Sequence, residues 1–381
     1  MNIVFINYEY PPIGGGAANA TLYLAKHIAK LGHQPIVVTS SYRDLPLEEI
    51  SDGIRVIRCR SLRRKANQSN IFEMATYVVS AGVFLLKFLR RERIDASIVF
   101  FSIPGGPLGL FLNFHAAVPY IVSLRGGDVP GSETSLALIY KILQPLRRLV
   151  FRKSRAIVAN SESLKKMSEK VDPFPVHIIP NGVDTDYYRP GENQFEGSKD
   201  NFKFIFVGRF QRQKNITFIL DQIAALKCFE KKHFEVHFVG DGPLREKLQN
   251  KTKNLGLEEM VFWHGWLGKE ALRSFYQSAN CLINASLYEG MPNASLEAMA
   301  CGLPIIASDV AGNNDIVRHG ETGFLFPLGQ PDALSRLMHR VINAPQEASS
   351  LGAQGRRLAM HQFSWSNVAQ QYLRLLTHDA A

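Results

Sequence analysis

The fold is decided by the stretch Asn2-Ile-Val-Phe-Ile-Asn7, which leads through Gly14-Gly15-Gly16 into a helical pattern over residues 17–31. The first run is short, continuous and apolar, which is typical of a strand buried on both faces. The helical pattern ends at Gly32, and a second apolar run follows over residues 34–39. A strand, a glycine-rich turn, a helix and another strand form the opening unit of a parallel α/β sheet.

The same alternation of short apolar runs and helical patterns continues along the chain in two series. In the first series, further strands are predicted over residues 54–59, 96–102, 120–124, 156–159 and 177–179. The second series predicts strands over residues 202–208, 235–239, 261–264, 281–285, 304–307 and 324–326. Two series of this kind predict an α/β protein with two doubly wound, Rossmann-like domains in tandem.

A polar stretch of linker composition, residues 189–201, separates the two series. We therefore expect a first domain over residues 1–190, a linker over 191–201 and a second domain over 202–363. A final amphipathic helix is predicted within residues 364–381. Ligands of such sheets bind outside the carboxyl ends of the strands, so the two domains could present these edges to each other across a cleft.

Composition bounds the class of protein. With 381 residues, 46% of them hydrophobic, the chain is long enough to bury two cores. Its four cysteines are scattered without a CxxC pair, which favours a reducing compartment over a disulfide framework. The opening residues lack the basic start of a signal peptide, so we expect a cytoplasmic protein.

Positive charge is concentrated in the first half of the chain. Residues 1–190 hold 24 Lys and Arg against 15 Asp and Glu, whereas residues 191–381 hold 20 against 19. This asymmetry favours an anionic partner, either a membrane leaflet or a nucleic acid. The basic clusters are not interleaved with the aromatic residues of known nucleic-acid modules, which favours peripheral association with the inner face of a membrane.

An apolar segment, residues 74–86, precedes Lys87 within this basic half. It is too short to cross a bilayer, because a membrane-spanning helix needs about 20 residues. Two interpretations remain open: an amphipathic helix that lies on the membrane, and a core helix with a basic end.

The richest candidate for a binding site is the run Glu289-Gly-Met-Pro-Asn-Ala-Ser-Leu-Glu297. Gly290, Pro292 and Asn293 favour a loop, and the residues after them favour a helix that Gly302 ends. The loop therefore delivers backbone amides into a helix N-terminus, which suits anionic or polar ligand atoms. An ionised carboxylate only accepts hydrogen bonds, so each glutamate suits a pair of sugar hydroxyls. The alternative is a solvated helix with a surface glutamate at either end.

Three other loops follow predicted strands. Gly14-Gly15-Gly16 lets a phosphate or sugar approach the backbone, or forms a plain strand-to-helix turn. Gly208-Arg209-Phe-Gln-Arg-Gln-Lys214 brings an arginine fork and a lysine point charge to one edge, which suits a diphosphate. Arg125-Gly-Gly-Asp128 offers a third charged loop, or a simple Arg–Asp pair in a turn. The eleven histidines form no HxH or HExxH pattern, so no catalytic metal is expected.

Taken in order, these features resemble the retaining glycosyltransferases of family 4, whose two-Rossmann-domain fold is called GT-B. The resemblance covers essentially the whole chain. It is carried by Pro11-Pro12-Ile-Gly-Gly-Gly16, Arg125-Gly-Gly-Asp128, Asn181-Gly-Val-Asp184, Val207-Gly-Arg209 with Lys214, Val239-Gly-Asp-Gly-Pro243, Glu289 to Glu297 with the following Ala-Met-Ala-Cys-Gly-Leu-Pro304, and Phe363-Ser-Trp365. In the family the last helix crosses back onto the first domain.

The resemblance implies a nucleotide-sugar donor, with UDP or GDP as its nucleotide, bound mainly to the second domain. The acceptor, a glycan or a lipid-linked glycan, is expected mainly on the first domain, in the assembly of a bacterial surface polysaccharide or glycolipid. By position, Glu297 would hold the ribose, and Arg209 with Lys214 the diphosphate. Glu289 and the loop Gly290, Met291, Pro292 and Asn293 would contact the transferred sugar, and Gly15 and Gly16 the phosphate or acceptor. No metal or other cofactor is implied.

One departure concerns the candidate catalytic set Glu289, Arg209, Lys214, Arg125 and Asp128. Many relatives carry histidine where this chain has Arg125. An arginine does not titrate near neutrality, so Arg125 is expected to anchor an acidic acceptor or the donor phosphate instead. A nucleotide-sugar epimerase of the same fold is the alternative enzyme, and a nucleic-acid-binding protein is the alternative outside enzymes.

Overall fold

The computed structural model describes residues 1–66, 68–131, 137–192 and 201–377, and these residues fold into two compact units. Unit 1 consists of residues 1–182 and 365–381, and unit 2 of residues 183–364. Most of the predicted linker, residues 193–200, lies outside the described residues.

Unit 1 is built on an eight-stranded sheet. In chain order its strands are β1 (Asn2–Ile6), β2 (Gln34–Ser40), β3 (Glu48–Ser51), β4 (Ile54–Cys59), β5 (Ala96–Phe100), β6 (Tyr120–Ser123), β7 (Ala156–Ala159) and β8 (Val176–Ile178). Their spatial order is β3-β4-β2-β1-β5-β6-β7-β8, and every pair is parallel except β3 with β4. The chain builds outwards in one direction from β1 and then in the other from β5. The sheet is therefore doubly wound, with its switch point between β1 and β5.

Helices cover this sheet because its central strands are apolar on both faces. They are α1 (Gly16–Lys30), α2 (Ile71–Phe88), α3 (Gly106–Ala116), α4 (Ala137–Lys153) and α5 (Glu162–Val171). Strand β5 is buried at all five positions, as a largely apolar run predicts for a strand packed on both faces.

Unit 2 has a six-stranded, wholly parallel sheet. Its strands are β9 (Phe202–Val207), β10 (Phe234–Val239), β11 (Val261–Gly265), β12 (Cys281–Asn284), β13 (Ile305–Ser308) and β14 (Gly323–Phe326). Its helices are α6 (Ile216–Lys227), α7 (Arg245–Asn254), α8 (Lys269–Ser278), α9 (Asn293–Ala300), α10 (Ala333–Asn343) and α11 (Pro345–Gln362). The strand order β11-β10-β9-β12-β13-β14 reverses between β9 and β12, which marks the switch point where a ligand is expected.

The last helix, α12 (Trp365–Thr377), belongs to unit 1. Its Trp365 ring stacks on Tyr23 of α1, with ring centroids 5.7 Å apart. Its Tyr372 hydroxyl lies 2.7 Å from the Ser123 hydroxyl at the end of β6. The predicted pair of α/β domains and the return of the final helix to the first domain are thus confirmed.

The structure differs from the sequence prediction in two places. Strand β3 was not predicted, because three of its four residues are polar and it lies exposed at the sheet edge. The predicted boundary at residue 190 also differs from the observed division after Gly182. Residues 183–190 pack with unit 2, since Val183 donates a backbone hydrogen bond to Phe363 (2.7 Å) and Arg356 donates to the Tyr188 carbonyl (2.8 Å).

Helix α2 contains the apolar segment for which two interpretations were open. Its 18 residues have a mean hydropathy of 1.6, and in the described part of the chain it is the one helix whose length and composition would suit a membrane span. One face nevertheless belongs to the core of unit 1, where Tyr77, Ala81 and Leu85 are buried and the Tyr77 hydroxyl donates to the Val38 carbonyl (2.8 Å). Only part of this helix is therefore open to solvent.

Candidate functional site

The site in unit 2 is centred on an ion pair between Lys214 and Glu289. Lys214 ends a short 3₁₀ turn after β9, and Glu289 lies in the loop after β12, so the two residues meet at the switch point of the sheet. The Lys214 ammonium contacts Glu289 Oε1, and the two side chains are only 18% and 7% exposed. A cation and a carboxylate predicted separately from sequence are thus joined in one site.

A buried network of polar side chains holds the Glu289 carboxylate in place. The Ser286 hydroxyl donates to Glu289 Oε1 (2.6 Å) and also lies 2.7 Å from Asn284 Oδ1. Asn284 donates from Nδ2 to Asn313 Oδ1 (3.0 Å), and Asn313 donates to the Ser308 carbonyl (3.0 Å). A buried, hydrogen-bonded network of this kind fixes side-chain orientation, so Glu289 has a defined position rather than a solvated one.

The loop after Glu289 leads into the N-terminus of α9, with Pro292 as the residue before the helix. Gly290 has open space around it and Asn293 is exposed, whereas Pro292 is buried. Pro292 makes no side-chain hydrogen bond that caps this end of α9. Gly290, Met291, Pro292 and Asn293 thus lead into a helix N-terminus, and their role as a binding site stays a prediction.

Gly312 fixes the path of this loop. A Cβ atom at Gly312 would lie 2.6 Å from the Gly290 carbonyl oxygen and 2.7 Å from the Glu289 carbonyl oxygen. Gly312 also has a positive φ of 86°, a backbone conformation that residues other than glycine rarely adopt. The backbone at residues 289–290 is thus seated directly on a glycine.

Glu297 lies one turn inside α9 and has its own partner. The fully buried Tyr276 donates its hydroxyl to Glu297 Oε2 over 3.0 Å. Burial raises the pKa of Glu297 to about 7, although the hydrogen bonds from Tyr276 and Tyr188 act in the opposite direction. A carboxyl group with such a pKa can exchange a proton near neutrality, which is a common property of functional sites.

Arg209 is exposed, in contrast to Lys214 on the same loop. Arg209 directly follows Gly208 at the end of β9. A Cβ atom added to Gly208 would lie 3.4 Å from Lys214 Cε, so the Lys214 side chain passes close to the same strand end. The structure gives Lys214 a protein carboxylate as partner and leaves the Arg209 side chain in solvent.

In unit 1, Asp128 organises the loop that contains Arg125. Asp128 is 2% exposed, and its carboxylate accepts backbone hydrogen bonds from Arg125 (2.9 Å) and from Ser102 (2.6 Å). Arg125 and Asp128 thus pair within the turn, as one of the two interpretations expected, and the contact is made by the backbone amide of Arg125. Asp128 therefore holds two strand-end loops together.

The Arg125 guanidinium packs 4.5 Å from the centre of the Phe100 ring and donates from Nη1 to Asn181 Oδ1 (2.7 Å). Burial lowers the pKa of Arg125, and nearby Tyr372 and Asp128 act in the opposite direction. The group is nevertheless charged at any physiological pH, because an arginine begins from a pKa above 12.

Gly15 and Gly16 open onto free space at the start of α1, so a ligand atom could approach their backbone. Glu9 of the same loop lies 3.7 Å from the buried Arg63 guanidinium. Burial raises the pKa of Glu9, while Arg63 and the Gly15 backbone amide oppose that shift. Among the described residues, no three His, Cys, Asp or Glu side chains are grouped as metal ligands.

Comparison with known proteins identifies the family. The family described as "Glycosyl transferases group 1" matches residues 191–358, and the one described as "Glycosyltransferase Family 4" matches residues 14–187. An Escherichia coli relative, UDP-Gal:alpha-D-GlcNAc-diphosphoundecaprenol alpha-1,3-galactosyltransferase, is 31% identical over 77% of this chain and 76% of its own length. The chain belongs to glycosyltransferase family 4.

Two solved structures place this glycosyltransferase in the GT-B fold. Sucrose-phosphate synthase from Thermosynechococcus elongatus superposes with a TM-score of 0.79, at 21% identity and 98% coverage of both chains. Anabaena HepE in complex with UDP superposes with a TM-score of 0.77, at 20% identity, with 99% of this chain and 100% of that chain covered. The predicted family and GT-B fold are confirmed. The enzyme is therefore a glycosyltransferase, and the alternatives of an epimerase and a nucleic-acid-binding protein were wrong.

Several residues around the candidate site were missed by the sequence prediction. They are Asn284, Ser286, Ser308 and Asn313 in the network under Glu289, Tyr276 beside Glu297, and Asn181 beside Arg125. One signal was present: Asn284 and Ser308 are polar residues at the carboxyl ends of otherwise apolar, buried strands. Tyr276 gave no such signal, because a tyrosine on an amphipathic helix is typical of core packing.

Proposed function

We propose that this glycosyltransferase moves a sugar from a UDP-sugar or GDP-sugar to a glycan or lipid-linked acceptor, with retention of configuration and without a metal ion. The product would belong to a bacterial surface polysaccharide or glycolipid. The enzyme would work in the cytoplasm, at the inner face of the membrane, to which its basic first domain would be attracted.

The observation that carries this proposal is the Lys214–Glu289 pair beside the N-terminus of α9. A departing nucleoside diphosphate gains negative charge, which an ammonium group and helix amides stabilise without a metal. Arg209, exposed on the same loop, would supply a second cation to the diphosphate. Glu289 would accept hydrogen bonds from the transferred sugar, and Glu297 from the ribose.

The reaction would proceed on one face of the sugar. The bond between the anomeric carbon and the diphosphate oxygen breaks, and the acceptor hydroxyl oxygen bonds to the same carbon from the same side. The acceptor proton passes to the departing phosphate oxygen, and the nucleoside diphosphate leaves. No protein side chain is then required as the base, which agrees with an arginine at position 125.

Two relatives support the nature of the substrates. HepE has been crystallised with UDP and with UDP-glucose, and this supports a nucleoside diphosphate sugar as donor. The Escherichia coli relative is named for a UDP-galactose donor and a diphosphoundecaprenol-linked acceptor, which supports an acceptor carried on a lipid.

The test is a thermal-shift and hydrolysis screen against a panel of UDP-sugars and GDP-sugars, with and without a chelator. Stabilisation by one donor that persists with the chelator and is lost in Glu297→Ala is the expected result. Stabilisation that requires a divalent metal would contradict the metal-independent mechanism. A lack of response to every donor would contradict the assignment of the unit 2 site.

A further inference from the structure

Helix α2 has an apolar stripe that the other described residues leave open. Phe72, Val79, Val83 and Leu86 are 66%, 68%, 53% and 40% exposed. At 100° per residue these four positions fall within about 60° of one another, and they extend over about 21 Å of helix. The stripe therefore faces one direction, while the opposite side of α2 is buried in the core of unit 1. Exposed apolar patches of this kind mark interaction surfaces.

Basic residues lie at both ends of the stripe. Arg60, Arg64 and Lys65 precede α2, and Lys87, Arg90 and Arg91 lie at its other end, and all six are exposed. The only acidic residue of the helix, Glu73, is 5% exposed and is used in the N-terminal capping box. An uncharged face between two basic clusters matches an anionic lipid leaflet, with acyl chains in the middle and phosphate groups at the edges.

A groove of about 1080 Å³ runs along the neighbouring side of α2. Its walls are mostly apolar and include Met74, Ala75 and Val78 of α2 and Ile139 and Leu143 of α4. Tyr8, Glu9, Phe101, Ile103 and Pro104 also line it, so it lies at the β1–β5 switch point of unit 1. A ligand is expected at this point in a doubly wound sheet.

The groove and the exposed stripe are continuous. Val79 belongs to the stripe and also lines the groove, and Ile71, 51% exposed, lines it as well. Arg64 and Lys65 also line the groove, as does Gly127 from the loop that contains Arg125. A hydrocarbon chain could thus pass from a leaflet into the groove with its anionic head beside two cations.

We propose that the α2 stripe inserts into an anionic leaflet and that the groove holds the hydrocarbon chain of a phosphate-bearing acceptor lipid. This inference rests on the proposed function, because it names the substrate class of the acceptor side. It sets the lipid phosphate at Arg64 and Lys65 and the sugar to be extended near Gly127. The mostly apolar walls favour a hydrocarbon chain over a free, water-soluble glycan as the groove's occupant.

The first experiment tests the leaflet with vesicles of phosphatidylcholine containing about one third phosphatidylglycerol at low salt. Wild type is expected to co-sediment with these vesicles, and Val83→Glu to bind at least about tenfold more weakly, because a charge on the stripe opposes insertion. The matched control is Ile50→Glu, which places the same charge on a 77% exposed apolar residue of β3 and should bind as wild type does.

The second experiment tests the groove with farnesyl phosphate, measured by calorimetry against farnesol and inorganic phosphate. Ala75 is exposed at the groove wall, so Ala75→Trp fills the groove without disturbing the core. Ala75→Trp should weaken farnesyl phosphate binding at least about tenfold, whereas Val83→Glu should leave it unchanged. Inorganic phosphate alone should bind more weakly than the prenyl phosphate.

Several results would overturn this inference while the proposed function stands. They are equal vesicle binding by wild type and Val83→Glu, equal farnesyl phosphate binding by wild type and Ala75→Trp, and a dimer of wild type that Val83→Glu dissociates. In each case donor-induced thermal stabilisation and donor hydrolysis are measured on the same variants. If donor stabilisation is absent while lipid binding follows the expected pattern, the proposed function fails and the lipid site remains.

Discussion

At the scale of single residues, the raised pKa of Glu297 makes stability depend on pH. Its folded-state pKa of about 7 lies above the ordinary value of 4.5, so folding favours the protonated form. The resulting stabilisation is complete below about pH 4.5 and is lost as the pH rises through about 7. Relative to Glu297→Gln, wild type should therefore lose on the order of 1 to 3 kcal/mol between pH 4.5 and 7.5.

Urea unfolding of both proteins at pH 5 and pH 8 measures this change. The exposed Glu246→Gln on α7 serves as the matched control and should track wild type at both values. A gap between wild type and Glu297→Gln that stays constant with pH would contradict the assignment. In the proposed donor complex the ionised form would accept hydrogen bonds from the ribose hydroxyls, so donor affinity should rise over the same pH range.

The two cations of the β9 loop should respond differently to truncation. Arg209 is exposed, so Arg209→Ala should reduce kcat/KM by about ten- to a hundredfold through lost charge stabilisation and leave the melting temperature near that of wild type. Lys214→Ala should reduce turnover and also destabilise the fold by about 1 to 3 kcal/mol, because it leaves a mostly buried Glu289 without its cation. Steady-state kinetics and thermal melts of both variants separate these effects, and equal melting temperatures would argue against a structural role for the ion pair.

Arg125 should matter for catalysis although it does not titrate. Its guanidinium is oriented by Asn181 and by the Phe100 ring, so it presents a fixed positive charge. Arg125→Ala should lower turnover from several-fold to several hundred-fold, as expected for a lost transition-state contact. Arg125→Lys keeps the charge without the planar fork and should recover part of the loss. If folded Arg125→Ala turned over substrate within about twofold of the wild-type rate, this arginine would not take part in the chemical step.

At the scale of elements, the seat of the 289–290 loop on Gly312 gives a direct test. Gly312→Ala should weaken donor binding at least about tenfold, because the new Cβ would displace the backbone beside Glu289. The matched control is Gly320→Ala, which also replaces a glycine of positive φ but meets no atom within 4 Å. Both substitutions should cost about 1 kcal/mol or more in stability, since each forces alanine into the left-handed region. Donor binding measured by thermal shift should therefore distinguish them, and equal affinities would show that the loop tolerates the displacement.

The helices and strands were predictable where their buried positions produce a regular pattern of apolar residues in the sequence. Strands such as β5 and β12 are mostly apolar runs, and a helical pattern follows each of them, so both domains could be predicted from the sequence. Strand β3 escaped because its pattern Glu-Glu-Ile-Ser has no buried face. The first-domain boundary was displaced because the composition changes at residue 189, whereas the packing changes at Val183, whose amide binds Phe363.

The candidate site was predictable only where charged residues come shortly after a predicted strand. Lys214 and Glu289 each lie in a loop or short turn after an apolar strand, and Glu297 lies one turn inside the helix that follows the second of these loops. These positions indicated all three residues. Their partners are distant in the sequence: Asn313 follows Asn284 by 29 residues, and Asn181 follows Arg125 by 56. A hydrogen bond across such separations depends on the register of strands and helices, which a single sequence does not state.

At the scale of the whole molecule, unit 1 is made from two separate pieces of chain. Helix α12 contributes Trp365, Val368, Ala369, Tyr372 and Leu376 to the core of that unit. A Cβ atom at Gly182 would lie 2.4 Å from the Trp365 ring, so the end of the first piece packs directly on the start of the second. The stability of the first domain therefore depends on residues more than 180 positions later in the chain.

Deletion of residues 365–381 should accordingly destabilise unit 1 and spare unit 2. The deletion exposes the apolar surface of α1 and removes the Tyr372–Ser123 contact, so amide protons of β1 and α1 should exchange much faster than in the full chain. Protons of β9 and β12, whose core contains no residue of α12, should keep their protection. Hydrogen exchange followed by mass spectrometry measures both regions in one sample. Full protection of β1 in the shortened chain would mean that α12 is an accessory rather than a part of the first domain's core.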